Sequence, residues 1–340
     1  MIECRQAGVI VNPVAGISPR ESLRAARQAA ERLGIIKVLT GPGQLGAEAF
    51  TGWSGQLQVH DLRAQGGREQ TRALAGQIAS TAIDVMIVVG GDGTLADVSR
   101  VFLQRKFRAP ILGIGAGSTN VGRLITCCVE RVEQIKFEAL EAWDVDGILV
   151  TLNDQPIALA FNDVVVGHTI VGMLDGKRRD LDAVERISGH LIPGKPRSAG
   201  GSSTRVIRRS TNNSDLLIAD GRSVATVVVG FADSSFFGRA VTGGICLATV
   251  AGLPAGCIVS DTPLVQIEID AATLQAIEPV TSRYASVANG DSIVIEGVAD
   301  AALCADGNPL RRLESNDHVL VSLHCDAVVG VRSRKDVQPA

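Results

Sequence analysis

Short apolar runs and helix-period stretches alternate through the first third of the chain. Ala7–Asn12 (AGVIVN) is a continuous apolar run of the kind a buried strand shows. The stretch that follows, ISPRESLRAARQAAERLG, is rich in helix formers. Ser18 is placed to cap it, Pro19 suits its first turn, Glu21 completes a capping box with Ser18, and Gly34 ends it. Then come a strand over Ile35–Leu39, a helix in GREQTRALAGQIAS, a strand over Asp84–Val89, a helix in TLADVSRVFLQR and a strand over Ile111–Gly115. ERVEQIKFEALEAW reads as a last helix of this region. Strands spaced by helices of this length predict a parallel sheet with helices on both faces, an α/β doubly wound domain over 1–144.

The pattern changes near residue 145. GILVTL, a turn at Asn153–Pro156 and IALAFNDVVVG read as a β-hairpin. SVATVVVGFA, LVQIEID, DSIVIEGVA and DHVLVSLHC are further strands with no long helix between them. The region 145–340 is therefore expected to be an all-β domain, with the final residues returning to pack on the first domain.

Composition narrows the function classes. With 46% hydrophobic and 20% charged residues, the chain has the means to fold. A net charge of -3 and 3% aromatics leave neither the field nor the stacking platforms of a nucleic-acid binder. The seven cysteines are odd in number and form no C-x-x-C pair, and the five histidines show no metal spacing, so no metal-ligand set is read. No leader sequence is evident. Ala240–Ser260 is uncharged, but its glycines and proline fit a buried segment better than a membrane span. A cytoplasmic protein is expected.

The chemistry concentrates in glycine-rich turns after strands. Gly90–Gly91–Asp92–Gly93–Thr94 follows one strand and opens a helix. Its glycines let backbone N–H groups approach an anion, and the helix N-terminus favours phosphate. Asp92 is unfavourable beside a phosphate unless it binds Mg²⁺ or takes a proton from an attacking hydroxyl, a combination that points to phosphoryl transfer. Asn12, before Pro13, either donates its amide to a phosphate or starts a turn. GAGSTN offers a second anion nest through Gly117, Ser118, Thr119 and Asn120, or a loop that caps the next segment. Lys177, Arg178, Arg179, Arg186, Lys195, Arg197, Arg205, Arg208 and Arg209 form a basic cluster, either a solvated face or a phosphate clamp.

VNPVAG, VVGGDGTL, GIGAGSTN and FNDVVVG, in that order, resemble the NAD kinase and diacylglycerol kinase superfamily, and more narrowly its ATP-NAD kinase and AcoX-like group. The resemblance runs from Val11 to about residue 320, and GGDGT is its most specific part. It implies an N-terminal α/β domain, a C-terminal β-sandwich and an active site in the cleft between them. It implies ATP or polyphosphate as donor, with Mg²⁺, and Asp92 as the base or the organiser of the metal. It places Asn162 and Asp163 where NAD kinases hold the dinucleotide with an Asn-Glu pair. Asp306–Gly307 is similar to the superfamily's late DG turn, or is a plain hairpin turn. NAD is the acceptor implied first. Against it, FFGRAVTGGICLATVAGLPAG does not reproduce the Ser/Thr-rich segment of NAD kinases, and GAGSTN leans toward the lipid-kinase form. A kinase for another hydroxyl compound or a lipid, and a nucleotide-binding accessory protein without turnover, are the alternatives. The expected partners are small molecules and further copies of the chain in a homo-oligomer.

Overall fold

The computed structural model describes residues 5–63, 66–117, 120, 122–175, 177–212, 214–232, 248, 251–268 and 279–334. The chain divides into two compact units. One runs to Gly147 and takes back the chain from Cys325; the other is Ile148–His324.

In the first unit the elements are β1 (Gln6–Val11), α1 (Pro19–Arg32), β2 (Lys37–Thr40), β3 (Gln56–Val59), α2 (Gly67–Ile78), β4 (Val85–Gly90), α3 (Asp92–Arg105), β5 (Ile111–Gly115) and β6 (Ile125–Cys128). Strands β1 to β5 are parallel in the order β3-β2-β1-β4-β5, and β6 joins β5. The α/β, doubly wound reading of this region is therefore right. Helix α1 starts as its sequence predicts. The Ser18 hydroxyl accepts from the Glu21 N–H at 3.3 Å and donates to the Glu21 carboxylate at 2.7 Å. Its alanines, Ala25, Ala26, Ala29 and Ala30, pack with Val9, Val11, Ile87, Val89 and Ile114 on one sheet face. Positions of opposite parity face the other helices: a Cβ on Gly8 would meet Ile78 of α2 at 2.6 Å, and one on Gly113 would meet Leu95 of α3 at 3.0 Å.

The helix expected in ERVEQIKFEALEAW does not form. Val129–Gln134 and Phe137–Ala139 are 3₁₀ turns, and β7 (Leu140–Leu152) begins directly after them. The apolar residues Val129, Val132, Phe137 and Leu140 are buried against the α1 face. Tertiary packing overrides the helix propensity of the intervening Glu and Lys side chains.

The second unit continues with β8 (Gln155–Ala160), β9 (Asp163–Gly167), β10 (Thr169–Leu174), β11 (Lys177–Asp182), the one-turn α4 (Ala183–Ile187), β12 (Arg205–Arg209), β13 (Leu216–Asp220), β14 (Thr226–Phe231), β15 (Ala255–Ser260), β16 (Ser282–Val287), β17 (Ser292–Glu296), β18 (Ala302–Ala305), β19 (Asn308–Arg312) and β20 (His318–Ser333). One antiparallel layer runs β13-β12-β17-β20; the other runs β16-β15-β14-β9-β18-β19. Alternate residues of both layers, among them Val164, Val166, Val227, Val229, Ile293, Ile295, Leu303, Val319 and Val321, form one apolar core. This is the β-rich second region that the strand pattern predicts and the sandwich that the family resemblance implies. Each fully buried aliphatic side chain contributes about 1.5–3 kcal/mol to it.

Two strand expectations are corrected here. IALAFNDVVVG is not one strand; it breaks between Ala160 and Asp163, for a reason given below. Leu264–Glu268 of LVQIEID makes no strand: the Ile267 and Glu268 N–H groups donate to the buried Asp180 carboxylate at 2.9 Å each. The β7–β8 hairpin turns at Asn153 and Asp154, both at positive φ (48° and 64°), the geometry a two-residue hairpin loop requires. Cys257 and Cys304 are buried, with thiol pKa values pushed up to about 12 by burial, so they pack as small hydrophobes. Cys325 is exposed. No helix among the described residues is long and apolar enough to cross a membrane.

Candidate active site

In the first unit β1 and β4 lie side by side although α1, β2, β3 and α2 separate them in sequence. The chain leaves β1 toward one side of the sheet and β4 toward the other, which makes their carboxyl ends the switch point where open α/β sheets take ligands. Asn12 follows β1, Gly91 follows β4 and Ala116 follows β5. The fold thus brings three motifs from distant sequence to one edge.

Helix α3 begins at Asp92, so Asp92, Gly93 and Thr94 form its first turn rather than a loop before it. Gly91 is the N-cap and has no side chain to occupy the helix terminus. The Asn12 amide donates to the Thr94 hydroxyl at 2.9 Å, and its carbonyl accepts from the Val14 N–H at 3.2 Å. Asn12 therefore ties the end of β1 to the GGDGT turn, while starting the turn its Asn-Pro sequence predicts.

The two glycine turns touch backbone to backbone. A Cβ on Gly117 would lie 2.8 Å from the Gly91 Cα, and one on Gly91 would lie 3.3 Å from the Gly117 Cα. Neither glycine has a positive φ, so it is the close approach that demands them. The same economy recurs: side chains of Thr94, Asn120 and Asp92 occupy the places where Cβ atoms of Gly90, Gly115 and Gly122 would sit, at 2.7, 2.8 and 2.8 Å. Asn120, at φ 50°, closes its own turn. Its carbonyl accepts from the Gly117 N–H and its amide donates to the Gly117 carbonyl, each at 2.8 Å. Ser118 and Thr119, read as the hydroxyls of this nest, lie outside the described residues.

Asp92 is half-buried, and one of its carboxylate oxygens accepts from the Gly122 N–H at 3.0 Å. The carboxylate thus spans from α3 to the loop after β5 instead of capping its own helix. Sequence reasoning missed Gly122; a lone glycine two residues past GAGSTN was its only signal. It also missed Cys128, which pairs with Gly115 in the β5–β6 register. Burial first, then Glu130 and Asp92, raise the Cys128 pKa against a smaller lowering by Arg131.

In the second unit Asn162 and Asp163 stand where β8 gives way to β9. The break comes from Asp306. Its carboxylate accepts from three successive backbone N–H groups, those of Phe161, Asn162 and Asp163, at 2.8, 2.8 and 3.1 Å. The Asp306 N–H returns a bond to the Asp163 carbonyl at 2.9 Å. These amides are satisfied by a carboxylate and cannot join a ladder, so the strand stops there. Asp306 and Gly307, at φ 48° and 72°, also make the two-residue turn between β18 and β19. The hairpin turn and the holding of Asn162–Asp163 are two functions of one residue. The Asn162 amide reaches the Asp163 carboxylate at 3.4 Å.

The basic cluster does not assemble as one clamp. Arg179 pairs with Glu268, Arg197 with Asp300, Arg205 with Glu296 and Arg209 with Asp215. Arg205, Arg208 and Arg209 lie on β12, apart in the fold from the β11 group. Among the described residues no three His, Cys, Asp or Glu side chains gather as a metal site.

Comparison with known proteins identifies the fold that carries this geometry. Residues 8–121 match the model of the ATP-NAD kinase N-terminal domain. An uncharacterized protein of Archaeoglobus fulgidus is 30% identical over 231 residues, covering 67% of this chain and 68% of its own. The NAD kinase of Hydrogenovibrio crunogenus is 26% identical over 248 residues, covering 71% and 69%. Among solved structures, yeast NADH kinase complexed with NADH aligns over 98% of this chain and 85% of its own, with a TM-score of 0.52 at 11% identity. A putative diacylglycerol kinase from Bacillus anthracis str. Sterne aligns over 99% and 100%, with a TM-score of 0.54 at 14% identity. Through its N-terminal domain the chain belongs with the ATP-NAD kinase family, and as a whole it has the fold shared by the NADH kinase and diacylglycerol kinase structures.

Proposed function

We propose that this protein is a kinase that transfers the γ-phosphoryl group of ATP to a hydroxyl group, with NAD as the acceptor. The observation that carries the reading is Asp92. It is a carboxylate in the first turn of α3, beside two glycine turns packed backbone to backbone at a switch point. A helix N-terminus and close-packed glycines suit phosphate, and a carboxylate there is placed to hold a metal ion or to accept a proton.

In this reading Gly90–Thr94 and Gly117–Asn120 receive donor phosphates, and Asn12 keeps the first of these turns in place through Thr94. Asp92 accepts the proton of the acceptor hydroxyl as its oxygen bonds to the γ-phosphorus, and the bond from that phosphorus to the bridging oxygen breaks to release ADP. Asn162 and Asp163 contribute polar contacts to the acceptor. Mg²⁺ fits a site with a single carboxylate, because it takes one or two carboxylates and fills its shell with phosphate oxygens and water. Bound there, Asp92 would hold it and it would neutralise phosphate charge. Catalysis then rests on positioning and electrostatics.

A second reading, a kinase for a different hydroxyl compound, is favoured by Asp163 where NAD kinases carry Glu and by the altered segment after β14. Incubation with ATP, Mg²⁺ and NAD decides between them. NADP formation supports the first reading. ATP binding without NADP formation, together with phosphorylation of another alcohol in an acceptor screen, overturns NAD and keeps the kinase. ATP binding with no turnover on any acceptor leaves a nucleotide-binding accessory protein.

A further inference from the structure

The edge strand of a sheet leaves a row of backbone N–H and C=O groups without partners, and proteins blunt such edges with charge or proline. The edges of the sandwich layers are blunted in this way. Strand β16 carries Arg283, β19 carries Pro309, Arg311 and Arg312, and β13 ends on Asp220. Strand β3 carries neither device. It ends the parallel sheet, pairs only with β2 among the described strands, and all of its residues are exposed. From Trp53 to Val59 the chain contains no charged residue and no proline.

The hydrogen bonds to β2 fix which groups are left over. The Gln56 N–H donates to the Ile36 carbonyl and the His60 N–H to the Thr40 carbonyl, each at 2.8 Å. Residues 56, 58 and 60 thus turn their backbone groups toward β2. Because a strand alternates, the N–H and C=O groups of Leu57 and Val59 point away from the sheet. The side chains of these two residues share one face and are 40% and 46% exposed. Backbone donors and acceptors at this spacing, with aliphatic side chains at every second position, are matched by another extended strand. The β3 sequence supplies that strand itself. A two-fold axis through Gln58 sets Leu57 of one copy opposite Val59 of the other, antiparallel, and the same pair recurs on the other side of the axis. Both residues of each pair face outward, so each pair exchanges N–H···O=C bonds in both directions. The aliphatic side chains of both copies then meet on one face. On the other face Gln58 lies beside Gln58, and no like charges are brought together.

We propose that β3 pairs antiparallel with β3 of a second copy of the chain, so that the parallel sheet continues across a two-fold axis into a homodimer. Strands β2 and β1 stand between β3 and β4, so the pairing does not use the Asp92 edge and is independent of the kinase reading. The interface is small, and sedimentation velocity should show a concentration-dependent equilibrium between the 35.5 kDa chain and its dimer. Val59→Pro removes an outward N–H from each copy and should weaken association about tenfold or more. Gln58→Lys and Gln58→Glu each set like charges across the axis and should each weaken it by up to about fivefold, and mixing the two variants should restore association as a heterodimer. Thermal melts and circular dichroism of these surface variants confirm folding. A wild-type chain that stays monomeric at its highest soluble concentration overturns the proposal, as does self-association that Val59→Pro leaves unchanged. Association that Val59→Pro weakens but mixing does not restore overturns the two-fold axis at Gln58 and assigns the edge to a different strand partner.

Discussion

The edge of the parallel sheet and the Asn162–Asp163 break in the sandwich are both sites where backbone is held out of regular structure, by opposite means. At the sheet edge the device is absence of side chains. Gly91 and Gly117 approach because neither has a Cβ, and Gly90, Gly115 and Gly122 yield space to Thr94, Asn120 and Asp92. In the sandwich the device is one side chain, Asp306, brought in from 143 residues away to take three backbone amides. The first is built largely from short segments and tolerates almost no added volume. The second is long-range and depends on charge and hydrogen bonding. A backbone nest suits a ligand part shared by every substrate, such as phosphate. A side-chain-held strand break can shift with one substitution, which suits the part that varies.

The largest expected effect tests whether chemistry sits at the sheet edge. Asp92→Asn keeps shape and removes the proton acceptor, and turnover should fall about 10²–10⁴-fold with the fold intact by circular dichroism. Near-normal turnover would take Asp92 out of the mechanism and leave the edge a binding device only.

Next is Gly117→Ala, a single methyl aimed at the Gly91 Cα. The two turns must part, and ATP affinity measured by calorimetry should drop about tenfold or more, equivalent to ~1.4 kcal/mol, as expected for overpacking against backbone. Unchanged affinity would mean that the phosphates bind elsewhere.

The smallest effect on ATP handling comes from the sandwich, where the cost falls on stability instead. Asp306→Ala leaves three amides without their carboxylate and should cost about 2–4 kcal/mol in unfolding free energy. Asp306→Asn, which keeps an accepting oxygen, should cost less. If the comparison is right, both variants weaken acceptor binding and leave ATP affinity unchanged. Equal loss of both ligands would erase the distinction between the two devices.

Legibility in the sequence follows the same division. The capping box at Ser18–Glu21, the β1 and β4 runs and GGDGT are local patterns whose physics is complete within a few residues, and each is found where its pattern puts it. ERVEQIKFEALEAW failed because its charged residues favour helix while Val129, Val132, Phe137 and Leu140 are drawn into the α1 core, a pull visible only in the packed unit. The basic cluster, which the sequence leaves open between a solvated face and a clamp, is drawn apart because Arg179 and Arg197 find Glu268 and Asp300, which lie 89 and 103 positions away.

The sequence by itself determined the alternation of strands and helices, the β-rich second half, and the glycine turns with an acid between them. Periodicity, capping and turn chemistry act over a few residues and are written there. Only the tertiary structure decided that β4 lies beside β1, that Gly117 meets Gly91, that Asp92 reaches Gly122, and that Asp306 ends a strand. Each of these depends on closing a long loop of chain, and burial and hydrogen bonding offset that cost only when the whole unit packs.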